Sequence, residues 1–377
     1  MLTEKDFKLI EKEASQLYEQ LELDIIQEIA ERIASVGYAN VVVYNDVAIL
    51  EEMGILYEDV LQMVAEYNQM TLPEIQNIFN EAGIMSLKRD DSIYKMAGLN
   101  PKGLSPSMQQ ILSATARKTQ SNLSNLTLTT AQTSQVQFLN AMNKAYMEVS
   151  TGTKSYSQAI VDSIKDVAKE GAYIQYPSGA KRSIEAATRA NILTSVNQTS
   201  AKLQEMRAEE LGWDLVEVSA HGGARPEHAK WQGKVYSLRG ETKGYKTLEE
   251  GCDYGRITGL CGVNCRHTFY PFYKGSTTTY TANELKGLKN ESVEYNGQKI
   301  NKYEATQMQR KMERNIRQNK KDIAAYSSLL ENKNDVNIEE TKQALEKVKL
   351  KKKFNTTMLN DFTKQTNLKK DNSRLII

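Results

Sequence analysis

The sequence predicts a predominantly α-helical α+β protein, with a helical N-terminal region, a small α+β domain that carries a Cys/His-rich loop, and a basic helical C-terminal tail. Apolar residues recur at steps of three or four in both terminal regions, which indicates amphipathic helices. Short strand-like segments bounded by turn residues lie between them. All three histidines and all three cysteines fall between His221 and Phe272. The 377 residues, of which 40% are apolar, are sufficient for a sizeable core.

Residues 1–100 are predicted to form a helical region. Thr3 and Asp6 resemble a capping box before a long helix over residues 3–35, which Gly37 ends. The narrow apolar stripe of this helix favours pairing with another helix, within the chain or in a neighbouring subunit. Its members are Phe7, Ile10, Ala14, Leu17, Leu21, Ile25, Ile29 and Ile33.

Three further signals divide the rest of this region. The segment Val41–Tyr44 reads as a strand or a core segment. A second helix is predicted over residues 46–70, with a break near Gly54. Thr71 is expected to cap a third helix that has Pro73 in its first turn and ends at Gly83.

Residues 101–156 are predicted to be a polar linker or helical segment that begins after a corner at Asn100 and Pro101. The part from residue 113 to 137 is rich in Ser, Thr, Asn and Gln. A polar helix and an extended tether are both consistent with that composition.

Residues 157–275 are predicted to form the compact α+β domain. It starts with a short helix over residues 157–171, followed by a hairpin over residues 173–182 and a long helix from Ser183 to Gly212. A strand over residues 213–220 carries apolar residues on both faces, so we expect it to be covered on both sides. It leads directly to His221.

Residues 276–377 are predicted to be a basic helical region. Asn296 and Gly297 indicate a tight turn, and helices follow from Asn301 and over residues 338–360. The net charge is −11 over the first 70 residues and +8 from Asn301 onward. This asymmetry suggests ends that face different surroundings in an assembly, and two unrelated solvated faces are the alternative.

The Cys/His stretch contains two half-sites for a metal. One offers His221 and His228, and the other has the spacing C-x-x-x-C-x-H, in which Gly255, Gly259 and Gly262 permit tight turns. Zinc prefers four nitrogen or sulfur ligands in a tetrahedron. The preferred set is His228, Cys261, Cys265 and His267, with His221 and Cys252 as substitutes. The alternative is a hydrogen-bonded loop with buried cysteines.

Catalytic interpretations of the same stretch have less support. The zinc deaminase signature and the H-E-x-x-H motif are absent from the sequence. A nucleophilic pair of Cys265 or Cys261 with His228 is conceivable, but no feature of the sequence indicates that either thiol is activated. A nuclease of the His-Asn-His kind is the best enzymatic alternative, since Asn264, Cys265 and His267 lie together near basic residues.

The sequence has neither a signal peptide nor a run long enough to span a membrane. Charged residues begin at Glu4, and no apolar run follows them. Three clustered cysteines without a secretion signal favour thiols or a metal site over a disulfide framework. We therefore expect a protein made and used in a cytoplasm.

Three segments resemble the phage minor capsid protein 2 family: residues 224–236, residues 259–267 and residues 270–272. That family is similar to the MuF-like head-morphogenesis proteins, whose signature ends in N-C-R-C. Here residues 264–267 read N-C-R-H, which exchanges one type of zinc ligand for another. The motif residues in this chain are Arg225, Pro226, Trp231, Gln232, Gly233, Asn264 and Arg266.

The resemblance extends to residues 176–192 and to the basic segment Tyr303–Arg317. It covers roughly residues 170–320 well and the N-terminal helices weakly. It makes residues 157–275 a MuF-like α+β domain.

The resemblance implies a structural minor capsid protein, without enzymatic activity, in the head of a tailed phage or prophage. Such a protein acts near the portal in head assembly and in DNA packaging or delivery. Its partners are the portal and other capsid proteins, with non-specific contact to DNA phosphates through the basic helix, and no membrane. It assembles in the host bacterial cytoplasm and resides in the virion. The Cys/His residues offer a structural zinc site, and the alternative is that the protein has no cofactor. The alternative function is a virion-packaged metal-dependent nuclease or another metal-dependent enzyme.

Overall fold

A computed structural model of the chain describes residues 1–37, 40–41, 46–176, 178–331, 338–370 and 372–375. The α-helices are α1 (Glu4–Gln16), α2 (Glu19–Ser35), α3 (Asp46–Met96), α4 (Pro106–Ser150), α5 (Tyr156–Glu170), α6 (Ile184–Glu210), α7 (Leu248–Cys252), α8 (Ala282–Lys289), α9 (Lys302–Glu331) and α10 (Ile338–Thr366). The strands are β1 (Tyr173–Gln175), β2 (Lys181–Ser183), β3 (Leu215–Val218), β4 (Val235–Ser237), β5 (Phe269–Pro271), β6 (Ser292–Tyr295) and β7 (Gln298–Asn301). A 3₁₀ turn covers Asn372–Arg374. The predominantly helical α+β class is confirmed.

The N-terminal stripe forms two helices where one was predicted. The capping box of Thr3 and Asp6 is present at the start of α1. The helix then breaks at Leu17 and Tyr18, because Tyr18 turns fully inward and its hydroxyl donates to Asn68 Oδ1 at 2.6 Å. α1 packs mainly on α6, which confirms pairing within the chain. The predicted segment Val41–Tyr44 has Val42 to Tyr44 outside the described residues.

Helix α3 runs without interruption for 51 residues, so the predicted boundaries at Gly54, Thr71 and Gly83 were wrong. Thr71 is buried inside the helix, where its hydroxyl lies 3.2 Å from the hydroxyl of Tyr18. Gly83 is needed for close packing, because a Cβ there would lie 2.8 Å from Leu112 Cδ2 of α4. A glycine costs a helix only about 1 kcal/mol relative to alanine, which packing along many turns outweighs.

The polar segment of residues 113–137 lies within α4, which settles the choice between helix and tether. Ser105 caps the helix and Pro106 occupies its first turn. Two of its buried polar side chains bond to backbone groups of a neighbouring segment. Thr133 Oγ1 donates to Tyr173 O at 3.1 Å, and Gln137 Nε2 donates to Gly171 O at 2.9 Å. The polar composition thus serves helix contacts and not a solvated linker.

The predicted hairpins and capped helices of the middle region are confirmed. β1 pairs with β2, and β6 pairs with β7 across the predicted Asn296–Gly297 turn. Ser183 caps α6 by accepting from Ala186 N. β3 is the central strand of an antiparallel sheet of order β4-β3-β5, with Val216 opposite both Tyr236 and Pro271. Every residue of β3 is buried, as expected for a strand covered on both sides.

The acidic N-terminal and basic C-terminal regions contact each other. α9 packs on α2, where Lys321 pairs with Glu22, and Ser328 Oγ donates to Glu31 Oε1 at 2.8 Å. One hydrophobic core includes residues from Leu2 through Leu345. Part of the charge asymmetry is therefore neutralised inside the chain. The boundaries of the four predicted regions stay a prediction.

Among the described residues, no helix combines the length and the apolar character that crossing a membrane requires. The long helices α3 and α4 bury polar side chains as well as apolar ones, among them Asp90, Thr133 and Gln137.

A buried carboxylate joins four separate segments of this fold. Glu11 of α1 is fully buried and pairs with Arg189 of α6 at 2.7 Å. It also pairs with Arg266 of the Cys/His loop and with Arg374 of the C-terminal turn. Burial raises the pKa of Glu11, but the attraction of Arg266, Arg374 and Arg189 outweighs burial and lowers it to about 2.

We expect Glu11→Gln to destabilise the protein by about 3 kcal/mol, because three arginines then lack their buried counter-charge. The free energy of unfolding in urea measures the loss. Glu13→Gln, which removes the same charge from an exposed position of α1, is the matched control and should change little. Equal effects of the two substitutions would contradict the central role of Glu11.

The difference in the free energy of unfolding between the wild type and Glu11→Gln should depend on pH, because the pKa of Glu11 is lowered. The contribution of the Glu11 carboxylate to the free energy of unfolding is fully present above the ordinary pKa of 4.5, and it is lost as the pH falls toward 2. The wild type should therefore approach the Glu11→Gln variant in stability over that interval. A difference that stays constant with pH would show that the interaction is not ionic.

Candidate metal centre and adjoining cavity

The Cys/His loop is held in shape by close backbone approaches. A Cβ at Gly259 would lie 1.7 Å from Asp253 O, and a Cβ at Gly262 would lie 2.3 Å from Ile257 O. No larger residue fits at either position without a backbone shift. Cys261 and Asn264 adopt left-handed φ angles of 59° and 55°. These turns bring the chain back toward β3 just before Cys265.

Helix α6 orients the end of this loop. The side-chain amide of Asn197, fully buried, donates to Cys265 O at 3.0 Å and to His267 O at 3.2 Å. On the other side, Ser219 Oγ accepts from Thr268 N at 3.0 Å. The backbone of residues 265–268 is therefore fixed between α6 and the end of β3.

Three of the four preferred ligands come together. Cys265 Sγ lies 3.6 Å from His228 Nδ1 and 3.7 Å from His267 Nδ1. The three ligand atoms all lie within 4.8 Å of one another, and the residues are buried. Zn–S and Zn–N bonds of about 2.3 and 2.0 Å at a tetrahedral angle place sulfur and nitrogen roughly 3.6 Å apart. The observed separations match this geometry.

The surroundings of the three residues suit metal ligands. His228 Nε2 lies 3.1 Å from Thr258 O, so the Nε2–H tautomer donates there and leaves the Nδ1 lone pair toward Cys265. Burial lowers the pKa of His228, and it lowers the pKa of His267 well below the usual value, so both rings stay neutral at pH 7. Burial also raises the pKa of the Cys265 thiol. Metal binding would therefore release the thiol proton.

The other predicted ligands lie nearby with different partners. Cys261 Sγ is 3.6 Å from His267 O, where the thiol donates to the carbonyl. Cys252 hydrogen-bonds the hydroxyl of Tyr236, and burial raises its pKa to about 12. The His221 ring packs against the His267 ring with centroids 4.4 Å apart, and its Nε2 is buried without a hydrogen-bond partner among the described residues. The zinc site itself stays a prediction.

Two of the motif residues support the histidines directly. Trp231 stacks on the His228 ring with centroids 4.4 Å apart and planes 30° apart. Gln232 Oε1 accepts from His221 N at 2.6 Å. Gly233 follows in a left-handed turn at φ 64°. The W-Q-G segment thus sets the position of both His221 and His228.

The remaining motif residues shape the mouth of the site. Arg225 donates to Val263 O at 3.3 Å and so joins the two halves of the stretch. Pro226 is exposed in the turn before His228. Arg266 pairs with Glu11, and Asn264 N lies 3.4 Å from Thr194 Oγ1 of α6.

A cavity of about 540 Å³ adjoins the three candidate ligands, and it is rich in arginine. Two of its seven arginines, Arg225 and Arg266, are motif residues, whereas the sequence predicted no part in the site for the other five. Its one signal was the basic face of α9, where Arg310, Arg314 and Arg317 recur at helical spacing. For that face, the sequence predicts either a solvated charged surface or a contact with DNA phosphates. The arginines of the cavity wall are Arg189, Arg225, Arg266, Arg310, Arg314, Arg317 and Arg374.

Comparison with known families decides the identity of the chain. Residues 2–355 match the model of the phage minor capsid protein 2 family. The chain belongs to this family. The match includes the N-terminal helices, for which the sequence motifs had indicated only a weak resemblance.

A curated relative agrees with this assignment. The chain is 27% identical over 285 residues to a structural protein of Lactococcus phage LL-H, covering 71% of this chain and 73% of the relative. No solved structure matches the chain. The protein is thus a phage minor capsid protein that is associated with the virion, and its partners include other phage structural proteins.

Proposed function

We propose that this minor capsid protein acts next to the portal during head assembly and bears on DNA packaging or delivery, without catalysing a reaction. The family match over residues 2–355 carries the proposal. The fold is compatible with a fixed place in a shell. Segments near both termini pair with distant helices: the Met1 amine pairs with Asp90 of α3 at 2.7 Å, and Arg374 pairs with Glu11 of α1.

An exposed stripe on α10 supports a protein partner. Leu350, Phe354 and Met358 lie on successive turns, and their exposed fractions are 66%, 64% and 36%. Lysines 349 and 351–353 surround them. An apolar stripe with a basic rim fits a partner surface that is apolar at its centre and acidic at its edge. We assign this stripe to contact with the portal.

Phage particles whose gene carries Leu350→Glu and Phe354→Glu should contain at least about tenfold less of this protein, because each buried side chain contributes about 1.5–3 kcal/mol to such a contact. Quantitative mass spectrometry of purified particles measures the amount. Both positions are exposed, so the purified variant should keep its wild-type melting temperature.

Met147→Glu supplies the control, since Met147 is 64% exposed at the end of α4. Particles with that variant should contain normal amounts. Normal incorporation of the α10 variant would exclude this stripe as the docking surface. Incorporation that fails equally in both variants would show a general effect of added charge.

The second proposal is a structural zinc ion at the trio of His228, Cys265 and His267. The separations of 3.6 and 3.7 Å and the orientation of His228 by Thr258 support it. Three protein ligands leave a fourth tetrahedral position, for which His221, Cys261 and water are the candidates. A zinc ion would cross-link two loops around β3.

The purified protein should bind one zinc ion per chain, and Cys265→Ser should abolish binding because it removes the ligand shared by both short separations. Inductively coupled plasma mass spectrometry measures the metal. A chelator should lower the melting temperature of the wild type and leave that of Cys265→Ser unchanged.

Two variants define the ligand set. Cys252→Ser should retain zinc, since this thiol bonds to Tyr236. Loss of zinc in Cys261→Ser would restore the four-residue set that the sequence favoured. Wild-type protein that is metal-free and insensitive to chelator would exclude the site.

A metal-dependent nuclease is the second candidate function. One observation favours it: the trio opens onto the arginine-rich cavity, and three-ligand zinc sites with an open position occur in hydrolytic enzymes. Its cysteine ligand and the family's structural character weigh against it.

Plasmid DNA should stay intact when it is incubated with the protein and added zinc or magnesium, because we expect no catalysed reaction. Agarose electrophoresis measures cleavage, and the Cys265→Ser variant controls for contaminating nuclease. Cleavage by the wild type that is absent with Cys265→Ser would replace the structural proposal with the enzymatic one.

A further inference from the structure

The cavity beside the Cys/His loop has an excess of positive charge. Seven arginines line it. Three glutamates lie among them: Glu313 lines the cavity, and Glu11 and Glu185 pair with lining arginines. Among the described residues, the arginines therefore outnumber these glutamates by four. Guanidinium groups repel one another in a partly buried site unless an anion lies between them.

Glu11 and Glu185 form ion pairs with four of the seven arginines. Glu11 pairs with Arg189, Arg266 and Arg374, and Glu185 pairs with Arg317 at 3.0 Å. These pairs join segments of the fold and leave the carboxylates little capacity for further partners. Three arginines of the wall lie outside these pairs, namely Arg225, Arg310 and Arg314.

Of these three, Arg310 and Arg314 stand on successive turns of α9. Within the described part of the chain, no hydrogen bond or ion pair joins either side chain to another residue, and Arg310 Nε is buried without a partner. Arg225, across the cavity, donates only to Val263 O among the described residues. Free guanidinium donors therefore face the cavity from two sides.

The state of Arg310 shows that the arrangement is unfavourable without a ligand. Burial lowers the pKa of Arg310, repulsion from Arg374 and Arg266 lowers it further, and the result is about 10. A folded chain ordinarily pairs or exposes an arginine. A half-buried arginine that lies among like charges, with its Nε buried and without a partner among the described residues, indicates a site whose counter-charge comes from another molecule.

We propose that this cavity binds a phosphate group, with Arg310 and Arg314 of α9 on one side and Arg225 on the other. Guanidinium forks match phosphate oxygens in geometry and bind them through paired hydrogen bonds. A cavity of about 540 Å³ exceeds one phosphate in size, so the group can belong to a free anion or to a DNA strand. This inference goes beyond the proposed role at the portal and does not depend on it.

Thermal unfolding of the full chain in inorganic phosphate, against chloride at equal ionic strength, tests the proposal. Phosphate should raise the melting temperature of the wild type by a few degrees, because a ligand that binds only the folded state stabilises it. The double variant Arg310→Gln with Arg314→Gln should lose this rise. Without phosphate, its melting temperature should not fall below that of the wild type, because the substitution relieves repulsion.

The matched control is Lys349→Gln with Lys353→Gln, which removes the same charge from exposed positions of α10. It should keep the full phosphate response. Arg314→Gln alone tests the site if the double variant does not fold, since Arg314 is exposed. Arg314→Gln should reduce, at least in part, the rise in melting temperature that phosphate causes.

Short single-stranded DNA identifies the source of the phosphate. If DNA binds and inorganic phosphate does not, and the arginine variant loses DNA binding while the lysine variant keeps it, the ligand is a phosphodiester. A response to inorganic phosphate that the arginine variant loses indicates a free anion. The proposal is overturned if neither probe binds, if chloride has the same effect, or if the arginine variant binds like the wild type.

Discussion

The fold depends on the carboxylate of Glu11. It lies fully buried on the first helix and holds arginines from α6, from the Cys/His loop and from the C-terminal turn. A buried carboxylate requires compensation, and three arginines supply it. Because these partners are 178, 255 and 363 residues away in sequence, one interaction ties together segments that no local signal connects.

The same interaction determines the character of the neighbouring cavity. Arg310 and Arg314 of α9 line the same cavity as the arginines that pair with Glu11, and among the described residues neither has a carboxylate partner. The Cys/His loop closes the other side, because Arg266 stands between Cys265 and His267 and reaches Glu11. The candidate metal centre and the basic cavity therefore share the Cys/His loop and its pairing with Glu11, while α6, α9 and the C-terminal turn supply the rest of the cavity wall.

These features suit a capsid component. Ion pairs join segments near both termini to distant helices, Met1 to Asp90 of α3 and Arg374 to Glu11 of α1. An exposed apolar stripe on α10 lies among lysines, and it is the surface that we propose for a protein partner. A metal at the His228, Cys265 and His267 trio would add a cross-link to loops that also share a small hydrophobic cluster with β3, which includes Trp231 and Leu260.

The sequence by itself determined the features that rest on neighbouring residues. Four features could be predicted because their physical causes lie within a few positions of one another in sequence. They are the capping box of Thr3, the cap at Ser183, the Asn296–Gly297 hairpin and the family motif around His228. Three other features could not be predicted in this way. They are the continuity of α3 through Thr71 and Gly83, the break at Tyr18 and the exclusion of Cys261 from the trio. Local preferences contribute about 1 kcal/mol each, and burial against distant helices outweighs them. Only the tertiary structure decided which histidines, cysteines and arginines meet, since that depends on contacts between residues far apart in sequence.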